Sequence, residues 1–144
     1  MKVQTKGVPR EDRDLYLNVG IQFRSRRIPN TNMVSGYQAD VGVSVAGNVW
    51  GSLYDESRRH RMLVMADSAV VAQALPGGID PDGWQDYKIR SEGDRVEIWV
   101  NNIKTVDDYE KAKAMVQLGT VCVQIHGGPA QEVWYKDITI KETK

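Results

Sequence analysis

"GWQDYKIRSEGDRVEIWVNN", residues 83–102, contains two runs of alternating polar and apolar residues on either side of Gly93-Asp94. A glycine beside an aspartate favours a tight turn, because glycine adopts positive φ without steric cost. Side chains alternate between the two faces of a strand, so the apolar members of the second run share one face. The stretch therefore predicts an antiparallel hairpin whose core-facing residues are Val96, Ile98 and Val100.

The same alternation recurs on both sides of this hairpin. It is seen in "LNVGIQFRSR", "GYQADVGVSV", "TVCVQIH" and "EVWYKDITIK", with Asn101-Asn102 marking one further turn. Asp67 predicts the start of a short helix, "SAVVAQAL", and "DDYEKAKAMVQ" fits either a loop or one or two helical turns. Many short strands with little helix predict one domain, residues 1–144, folded as an antiparallel β-sandwich of jelly-roll type.

The composition excludes several classes of function. The chain has 144 residues, and its 19 basic and 19 acidic side chains cancel, so no global charge attracts nucleic acid or a membrane surface. The single cysteine, Cys122, excludes an internal disulfide and a cysteine-based zinc site. No apolar run reaches the roughly 18 residues of a membrane span, and the first residues lack the apolar stretch of a signal peptide.

Three of the predicted strands carry polar side chains on one face. Their amide and ionisable groups are directional hydrogen-bonding partners, suited to sugar hydroxyls or carboxylates. A solvated outer face of the sheet is the alternative, since antiparallel sheets commonly have one wet face. The polar sets are Gln22, Arg24 and Arg26 in the first strand, Gln38 and Asp40 in the second, and Cys122, Gln124 and His126 in the third.

Five motifs in this order resemble the 3-keto-disaccharide hydrolase family: "GIQFRSRRIP", "VSGYQADVG", "WGSLYDESRR", "GWQDYKIRSEGDRVEIWVNN" and "VQIHGGP". The resemblance runs from Gly20 to Glu142 and implies a concanavalin A-like sandwich in the periplasm or outside a bacterial cell. Family members usually carry further strands before this region. The resemblance thus implies a short member or a fragment, with an uncovered edge strand available for homo-oligomerisation.

The resemblance also implies a reaction. A ketone at C3 of a glucoside acidifies the C2 proton, so that the group on C1 can leave by β-elimination and water can later add. Such a site needs a base, a positive charge or metal at the enolate oxygen, and an acid. We expect His126 as base or metal ligand and Asp40 and Glu56 as carboxylates, with the same three residues able to hold one divalent cation. The expected sugar-binding residues are Gln22, Arg24, Arg26, Gln38, Tyr54, Arg58 and Gln124.

Each of these assignments has a structural alternative. A histidine at a strand end is often structural, Asp40 and Glu56 could pair with arginines, and Tyr54 could pack in the core. Arg58 could belong to a solvated pair with Arg59. At the level of the whole chain, the alternatives to an enzyme are a non-catalytic, lectin-like sugar-binding module and an assembly domain without a sugar ligand.

Overall fold

The computed structural model describes residues 1–5, 17–44, 47–80, 82–112, 118–127 and 132–142. Within these ranges β-strands are the main regular structure, with one short helix. The elements are β1 (Lys2–Gln4), β2 (Asn18–Arg27), β3 (Val34–Ser44), β4 (Gly47–Asn48), β5 (Leu53–Glu56), β6 (Arg61–Val64), α1 (Ser68–Ala74), β7 (Gln85–Glu92), β8 (Arg95–Val100), β9 (Ile103–Tyr109), β10 (Thr120–Ile125) and β11 (Trp134–Lys136).

The strands form two antiparallel sheets that pack together, which confirms the predicted β-sandwich. Sheet A has the order β11-β1-β7-β8-β9, and sheet B has the order β10-β2-β3-β5-β6, with β4 paired to the end of β3. The predicted hairpin is confirmed: Glu92 pairs with Arg95 across the Gly93-Asp94 turn. Asn101 and Asn102 both have positive φ at the following turn, as expected for that dipeptide.

The core lies between the sheets and is made by the inward-facing members of the alternating strands. Val19 and Ile21 of β2 and Ile98 of β8 are at most 1% exposed. Removal of this apolar surface from water is the main force that holds the two sheets together. The other large, fully buried side chains are Val3, Leu17, Tyr37, Val41, Val49, Trp50, Leu53 and Val96.

Helix α1 begins where the sequence predicted. The Asp67 carboxylate accepts hydrogen bonds from the backbone N–H groups of Ala69 and Val70, which satisfies donors that lack a partner inside the helix. Val71 and Ala74 face the core. In the described ranges no helix is long and apolar enough to cross a membrane.

A β-bulge changes the alternation of β2. The pairing register with β3 shifts between Phe23 and Arg26, and Arg24 has a φ of 48°. One extra residue in a strand reverses the faces of all residues that follow it. Arg26 now pairs with Ser35, whereas Gln22, before the bulge, pairs with Gln38. Side chains of odd- and even-numbered residues in β2 therefore exchange faces at the bulge.

A partly buried charge cluster joins the two sheets at the edge where β5 and β6 meet β9. The Asp55 carboxylate, with a fully buried side chain, accepts hydrogen bonds from Arg58 and Arg59. Arg59 also donates through both terminal nitrogens to Glu110, at 3.1 and 2.7 Å, and the Tyr37 hydroxyl donates to Glu110 at 2.6 Å. Because Asp55 belongs to sheet B and Glu110 follows β9 of sheet A, the cluster holds this edge of the sandwich closed.

The last strand is shorter than predicted. The alternation in "EVWYKDITIK" predicted a strand to Lys141, but β11 ends at Lys136. Asp137 has a φ of 53°, which interrupts an extended strand, and residues 138–142 have no paired strand in the described part of the chain. The stretch that fitted either a loop or helical turns begins as the end of β9, and its residues 113–117 lie outside the described ranges.

We expect Glu110→Gln to lower the free energy of unfolding by roughly 2 kcal/mol at pH 7, since it removes one partner of a partly buried ion pair. The Arg59 guanidinium lowers the pKa of Glu110 from 4.5 to about 2. A lowered pKa stabilises the fold above the unfolded-state pKa and loses that effect as pH falls towards the folded-state pKa. The difference in unfolding free energy between wild type and variant should therefore shrink as pH falls from about 4.5 to about 2. Urea unfolding measures this difference.

Glu92→Gln is the matched control, because Glu92 pairs with Arg90 and both side chains are about half exposed. Exposed ion pairs contribute less than about 1 kcal/mol. Equal losses of stability for the two variants would contradict a special role of the cluster at the β5–β6–β9 edge.

Candidate active site

The outer face of sheet B carries a row of polar side chains across four neighbouring strands. Paired residues of adjacent antiparallel strands have their side chains on the same face. Gln22 of β2 pairs with Cys122 of β10 on one side and Gln38 of β3 on the other, and Gln38 pairs with Tyr54 of β5. The row thus runs from β10 to β5, on the face opposite the core.

A second row lies one side-chain step away along the strands. Gly20 of β2 pairs with Gln124 of β10 and with Asp40 of β3. An added Cβ at Gly20 would come within 2.6 Å of a Gln38 side-chain carbon, so the glycine leaves the room into which the Gln38 side chain extends. The absent side chain therefore allows the two rows to contact each other.

One hydrogen bond joins two amides of the first row, and a second one connects the first row to the second. Gln22 Nε2 donates to Gln38 Oε1 at 2.9 Å, and Gln38 Nε2 donates to Asp40 Oδ1 at 2.7 Å. All three residues are buried, although they lie on the outer face. The chain of donors fixes the orientation of both amides, because each has one atom already committed to its neighbour.

The Asp40 carboxyl is the most perturbed acid of this face. Burial raises its pKa from 3.8 to about 7, against the opposing effect of the hydrogen bond from Gln38, and the negative charge of Glu56 raises the pKa further. Burial, together with Glu56 and Asp40, also raises the pKa of the Tyr54 hydroxyl. A carboxyl that titrates near neutral pH can both accept and return a proton.

The backbone of Asp40 is held from three directions. Its N–H donates to the Ser52 carbonyl at 3.0 Å, and its carbonyl accepts from the Gly51 N–H at 2.9 Å. The Tyr87 hydroxyl of sheet A reaches through the core and donates to the same carbonyl at 2.9 Å, while it accepts from the Gly51 N–H at 3.2 Å. The position of the carboxyl is therefore set by both sheets.

Gln124 supplies an acceptor that has no described partner. Its Oε1 atom is buried without a hydrogen bond in the described part of the chain. The residue pairs with Gly20, next to the Asp40 position. A buried polar atom without a partner is costly, and a ligand hydroxyl at this place would satisfy it.

The chain matches one family model over nearly its whole length. The model of the 3-keto-alpha-glucoside-1,2-lyase-like domain matches residues 1–141. The chain belongs to this family. No curated protein matches the chain. The resemblance read from the sequence motifs is confirmed, and membership in the 3-keto-alpha-glucoside-1,2-lyase-like family supports a carbohydrate-active function.

Six of the residues expected to form the site of this family member lie on the outer face of sheet B. Their grouping follows from simple alternation within β3, β5 and β10 and within the part of β2 that precedes the bulge. They are Gln22, Gln38, Asp40, Tyr54, Glu56 and Gln124. The alternative of an arginine partner for Asp40 is not realised among the described residues, where Gln38 donates to its carboxylate.

The bulge in β2 removes two arginines from the expected set. Arg24 was predicted to share a face with Gln22, but its Nη1 donates to the Gly93 carbonyl of the β7–β8 turn at 2.8 Å. Arg26 pairs with Ser35 and therefore lies on the same side as Tyr37, opposite Gln22. The prediction that these arginines lie on the polar face is wrong, since it assumed a regular strand.

Arg58 also lies elsewhere. Its Nε donates to the buried Asp55, and its guanidinium lies over the Tyr37 ring at 4.3 Å from the ring centre. Both partners face the core side of sheet B, as Leu53 does beside Asp55. Arg58 therefore belongs to the charge cluster between the sheets. It does not lie on the polar face where sugar binding was expected, and it does not form a solvated pair with Arg59.

His126 lies just beyond the end of β10, at the rim of the polar face. Its backbone N–H donates to the Asn18 carbonyl. Its ring is exposed, and the distance from Nδ1 to the Gly127 carbonyl oxygen is 2.7 Å. Two strand spacings, roughly 10 Å, separate β10 from β3, which carries Asp40. Gly128 and Pro129, expected to leave the approach open, lie outside the described ranges.

The expected metal site of Asp40, Glu56 and His126 does not assemble in the described residues. No group of three histidine, cysteine, aspartate or glutamate side chains there lies close enough to hold an ion. The described side chains therefore supply no three-ligand group for the divalent cation, which stays a prediction, and no catalytic step is assigned to it. The catalytic and metal roles of His126 stay predictions.

Sequence reasoning missed Tyr87, which fixes the Asp40 backbone. Tyr87 belongs to the other sheet and is 47 residues away along the chain. Its side chain is buried in the core, but no local pattern shows which backbone groups its hydroxyl contacts. Only the packing of the two sheets brings the hydroxyl to Asp40.

We expect Asp40→Asn to stabilise the protein at pH 8 by up to a few kcal/mol, and to have little effect at pH 4. A raised pKa means that the folded state holds a proton that the unfolded state releases. The stability of the wild type should thus fall, relative to the variant, as pH rises from about 4 to about 7, and stay constant above that. Thermal unfolding across this pH range measures the difference.

Asp86→Asn is the control, because the Asp86 side chain is 49% exposed and pairs with Lys2 at 3.5 Å. A pH-independent difference between Asp40→Asn and the wild type would show that the Asp40 carboxyl is ionised throughout the range and would contradict its raised pKa.

Proposed function

We propose that this chain cleaves the glycosidic bond of 3-keto-glycosides by β-elimination, with Asp40 as the base that removes the C2 proton. The observation that carries the proposal is the buried Asp40 carboxyl, with a pKa of about 7, held by Gln38 on a polar sheet face. Membership in the 3-keto-alpha-glucoside-1,2-lyase-like family supports the substrate class.

The proton transfer begins the reaction. The ionised Asp40 carboxylate takes the C2 proton, and the electron pair of the C2–H bond forms a C2=C3 double bond while the C3 carbonyl becomes an enolate oxygen. The enolate then returns its electrons to form C1=C2, and the C1–O bond breaks. The products are an unsaturated 3-keto sugar and an alkoxide, which takes up one proton to become an alcohol.

The pKa of Asp40 suits both proton transfers. A base works best when its pKa lies near the working pH, because it is then sufficiently ionised and still basic enough. The protonated carboxyl formed in the first step can return its proton to the leaving oxygen. Addition of water to the unsaturated product would complete net hydrolysis of the glycoside.

The amides next to Asp40 supply hydrogen bonds for the sugar. Gln22 Nε2 and Gln38 Nε2 each have a second N–H beyond the bond that fixes the side chain. We propose that these N–H groups and the Tyr54 hydroxyl donate to the enolate oxygen, whose charge develops only during the reaction. The unpartnered Gln124 Oε1 would accept from a sugar hydroxyl.

We expect Asp40→Asn to lower kcat/KM for a 3-keto-glucoside by roughly 100-fold or more, the usual contribution of a general base. The wild-type kcat/KM should rise with pH up to about 7 and level off above it, because the carboxylate is the active form. Proton NMR in D₂O follows the loss of the C2 proton signal and the appearance of the unsaturated sugar.

Two further variants show which group acts. Glu92→Gln changes an exposed carboxylate on the hairpin of sheet A and should keep full activity. His126→Ala separates the two candidate bases. If this variant removes the C2 proton at the wild-type rate, Asp40 is supported as the base. If His126→Ala is inactive while Asp40→Asn stays active, the proposal is overturned. Sugar binding without any reaction would instead support the lectin-like alternative.

A further inference from the structure

The outer face of sheet A carries three of the chain's four tryptophans, on the side of the sandwich away from the polar face of sheet B. Trp99 alternates with buried core residues in β8 and so points outward. Trp134 of β11 pairs with Gln4 of β1 and is 46% exposed. Trp84 reaches the same face just before β7, where Lys136 lies over its ring. Large aromatic side chains grouped on a solvent-facing sheet surface mark a binding surface.

Two of these tryptophans lie on either side of an amide. The registers of β1 with β11 and with β7 place Trp134 and Trp84 on opposite sides of Gln4. Two strand spacings, roughly 10 Å, separate the backbones of the two tryptophans. Gln4 is 6% exposed, and its Nε2 donates to the Asp82 carbonyl at 2.6 Å. This row therefore presents two ring surfaces with a fixed amide between them.

Two lysines bring positive charge to the rings. Lys136 Nζ lies 4.2 Å from the centre of the Trp84 ring, and Lys88 Nζ lies 4.4 Å from the centre of the Trp99 ring. Both lysines are exposed, and neither forms an ion pair within the described ranges. An ammonium group on a ring is attracted to it from one side and keeps further N–H donors for an anion. We call Trp84 with Lys136, and Trp99 with Lys88, the two ring–cation pairs.

The other cations of this face are neutralised by carboxylates. Lys104 also lies near the Trp99 ring, but its Nζ donates to Glu97 at 2.6 Å and to Asp107 at 2.9 Å. The uncompensated charge of the described outer face is therefore concentrated at the two ring–cation pairs. The remaining neutralised cations are Lys2 with Asp86, Arg90 with Glu92, and Arg95 with Asp107.

The distance between the two ring–cation pairs limits the kind of ligand. Lys88 pairs with Trp99 across β7 and β8, and Trp84 is four residues before Lys88 in the chain. Four residues along a strand and one strand spacing place the backbones of Trp84 and Trp99 about 14 Å apart. A single small anion cannot contact both pairs. A chain of linked units with acidic groups at intervals can.

We propose that the outer face of sheet A binds a linear oligosaccharide that carries carboxylate groups, such as a chain of uronic acids. The C–H faces of its sugar rings would lie against Trp84, Trp99 and Trp134, which removes apolar surface from water. Its carboxylates would accept charge-assisted hydrogen bonds from Lys88 and Lys136. This inference does not rest on the proposed reaction, which uses the opposite sheet.

The carboxylates of the face favour a glycan over a nucleic acid. Asp86, 49% exposed, follows Trp84 by two positions, and Asp107 lies beyond Lys104. Sugar hydroxyls can donate to such carboxylates, whereas a polynucleotide carries a negative charge on every unit and would be repelled. The balanced charge of the whole chain also provides no long-range attraction for a polyanion of that density.

Titration calorimetry with tetragalacturonate, a chain of four uronic acids, tests the proposal. We expect the double variant Lys88→Gln/Lys136→Gln to raise Kd at least about tenfold, since it removes two charge-assisted contacts. The wild-type Kd should also rise in about 0.5 M NaCl, because exposed charges are screened. Both lysines are exposed and outside described ion pairs, so the double variant should fold normally.

Arg61→Gln/Lys111→Gln is the matched control. It removes the same two charges from exposed positions beside the cleft between β6 and β9. This variant should bind tetragalacturonate as tightly as the wild type does. Equal losses of affinity in the two double variants would show that total charge alone decides binding, which would overturn the site.

The aromatic contribution and the class of ligand are tested separately. Trp134→Ala changes an exposed side chain and should raise Kd roughly fivefold. Cellotetraose, a neutral chain of the same length, should bind at least about tenfold more weakly than tetragalacturonate. Equal affinities for the two chains, no binding of either, or tighter binding of an oligothymidylate would each contradict the proposal.

Fluorescence quenching by acrylamide addresses the alternative that another part of this chain occupies the face. Acrylamide should quench the tryptophans of the free protein, and tetragalacturonate should protect them. The buried Trp50 is the internal reference, because it is 0% exposed. If the free protein is quenched no more than a buried tryptophan, the chain covers its own outer face and the proposal is overturned.

Two variants separate this site from the proposed active site. Asp40→Asn should leave the Kd for tetragalacturonate unchanged, and Lys88→Gln/Lys136→Gln should keep the wild-type kcat/KM for a small 3-keto-glucoside. Loss of tetragalacturonate binding in Asp40→Asn would place the oligosaccharide on sheet B, against the proposal. A protein that binds tetragalacturonate through Lys88 and Lys136 but cleaves no 3-keto-glucoside would support this site and refute the proposed reaction alone.

Discussion

The hydroxyl of Tyr87 connects the two sheets at the point on which the candidate site depends. It donates to the Asp40 carbonyl of β3, in the opposite sheet, and accepts from the Gly51 N–H in the turn before β5. A buried hydroxyl must find partners, since an unpartnered polar group in the core is costly. The hydrogen bonds that satisfy the Tyr87 hydroxyl therefore also fix the backbone of Asp40, the proposed base.

The Asp40 carboxyl illustrates a conflict between stability and chemistry. Burial makes its ionised form costly, and the neighbouring negative charge of Glu56 adds to that cost. A fold selected for stability alone would place an amide or an apolar residue there. The hydrogen bond from Gln38, whose amide Gln22 orients, offsets part of the cost, and the remaining perturbation leaves a carboxyl that changes charge near neutral pH.

Sequence reasoning succeeded where side-chain alternation alone determines the structure. The hairpin at Gly93-Asp94, the start of α1 at Asp67 and the polar faces of β3 and β10 all follow from local pattern. It failed for Arg24 and Arg26, because the bulge in β2 occurs at an arginine with positive φ, a position without the glycine that usually marks such a site.

The remaining errors have a different cause. Arg58 is one of four charged residues in the segment "DESRR", and nothing in that segment shows that a buried aspartate and the Tyr37 ring will receive it. The shortened β11 ends where its partner β1 begins, so its length depends on another strand and not on its own residues. Such outcomes are decided by tertiary contacts, which one local pattern cannot contain.

The two edges of the sandwich differ in how firmly they hold the sheets together. Ion pairs between Arg59 and both Asp55 and Glu110 hold the edge at β6 and β9, whereas the edge at β10 and β11 exposes apolar side chains and is bridged by the 3.4 Å hydrogen bond from the Tyr135 hydroxyl to the Gln124 carbonyl. Local stability follows local contact density. Thermal fluctuations should therefore separate the sheets first at β10, the strand that carries Gln124, while the pair of strands that hold Asp40 and Tyr54 stays closed. The polar face of sheet B would then have a rigid part with Asp40 and Tyr54. Its other part, at β10, could move to fit the size of the sugar.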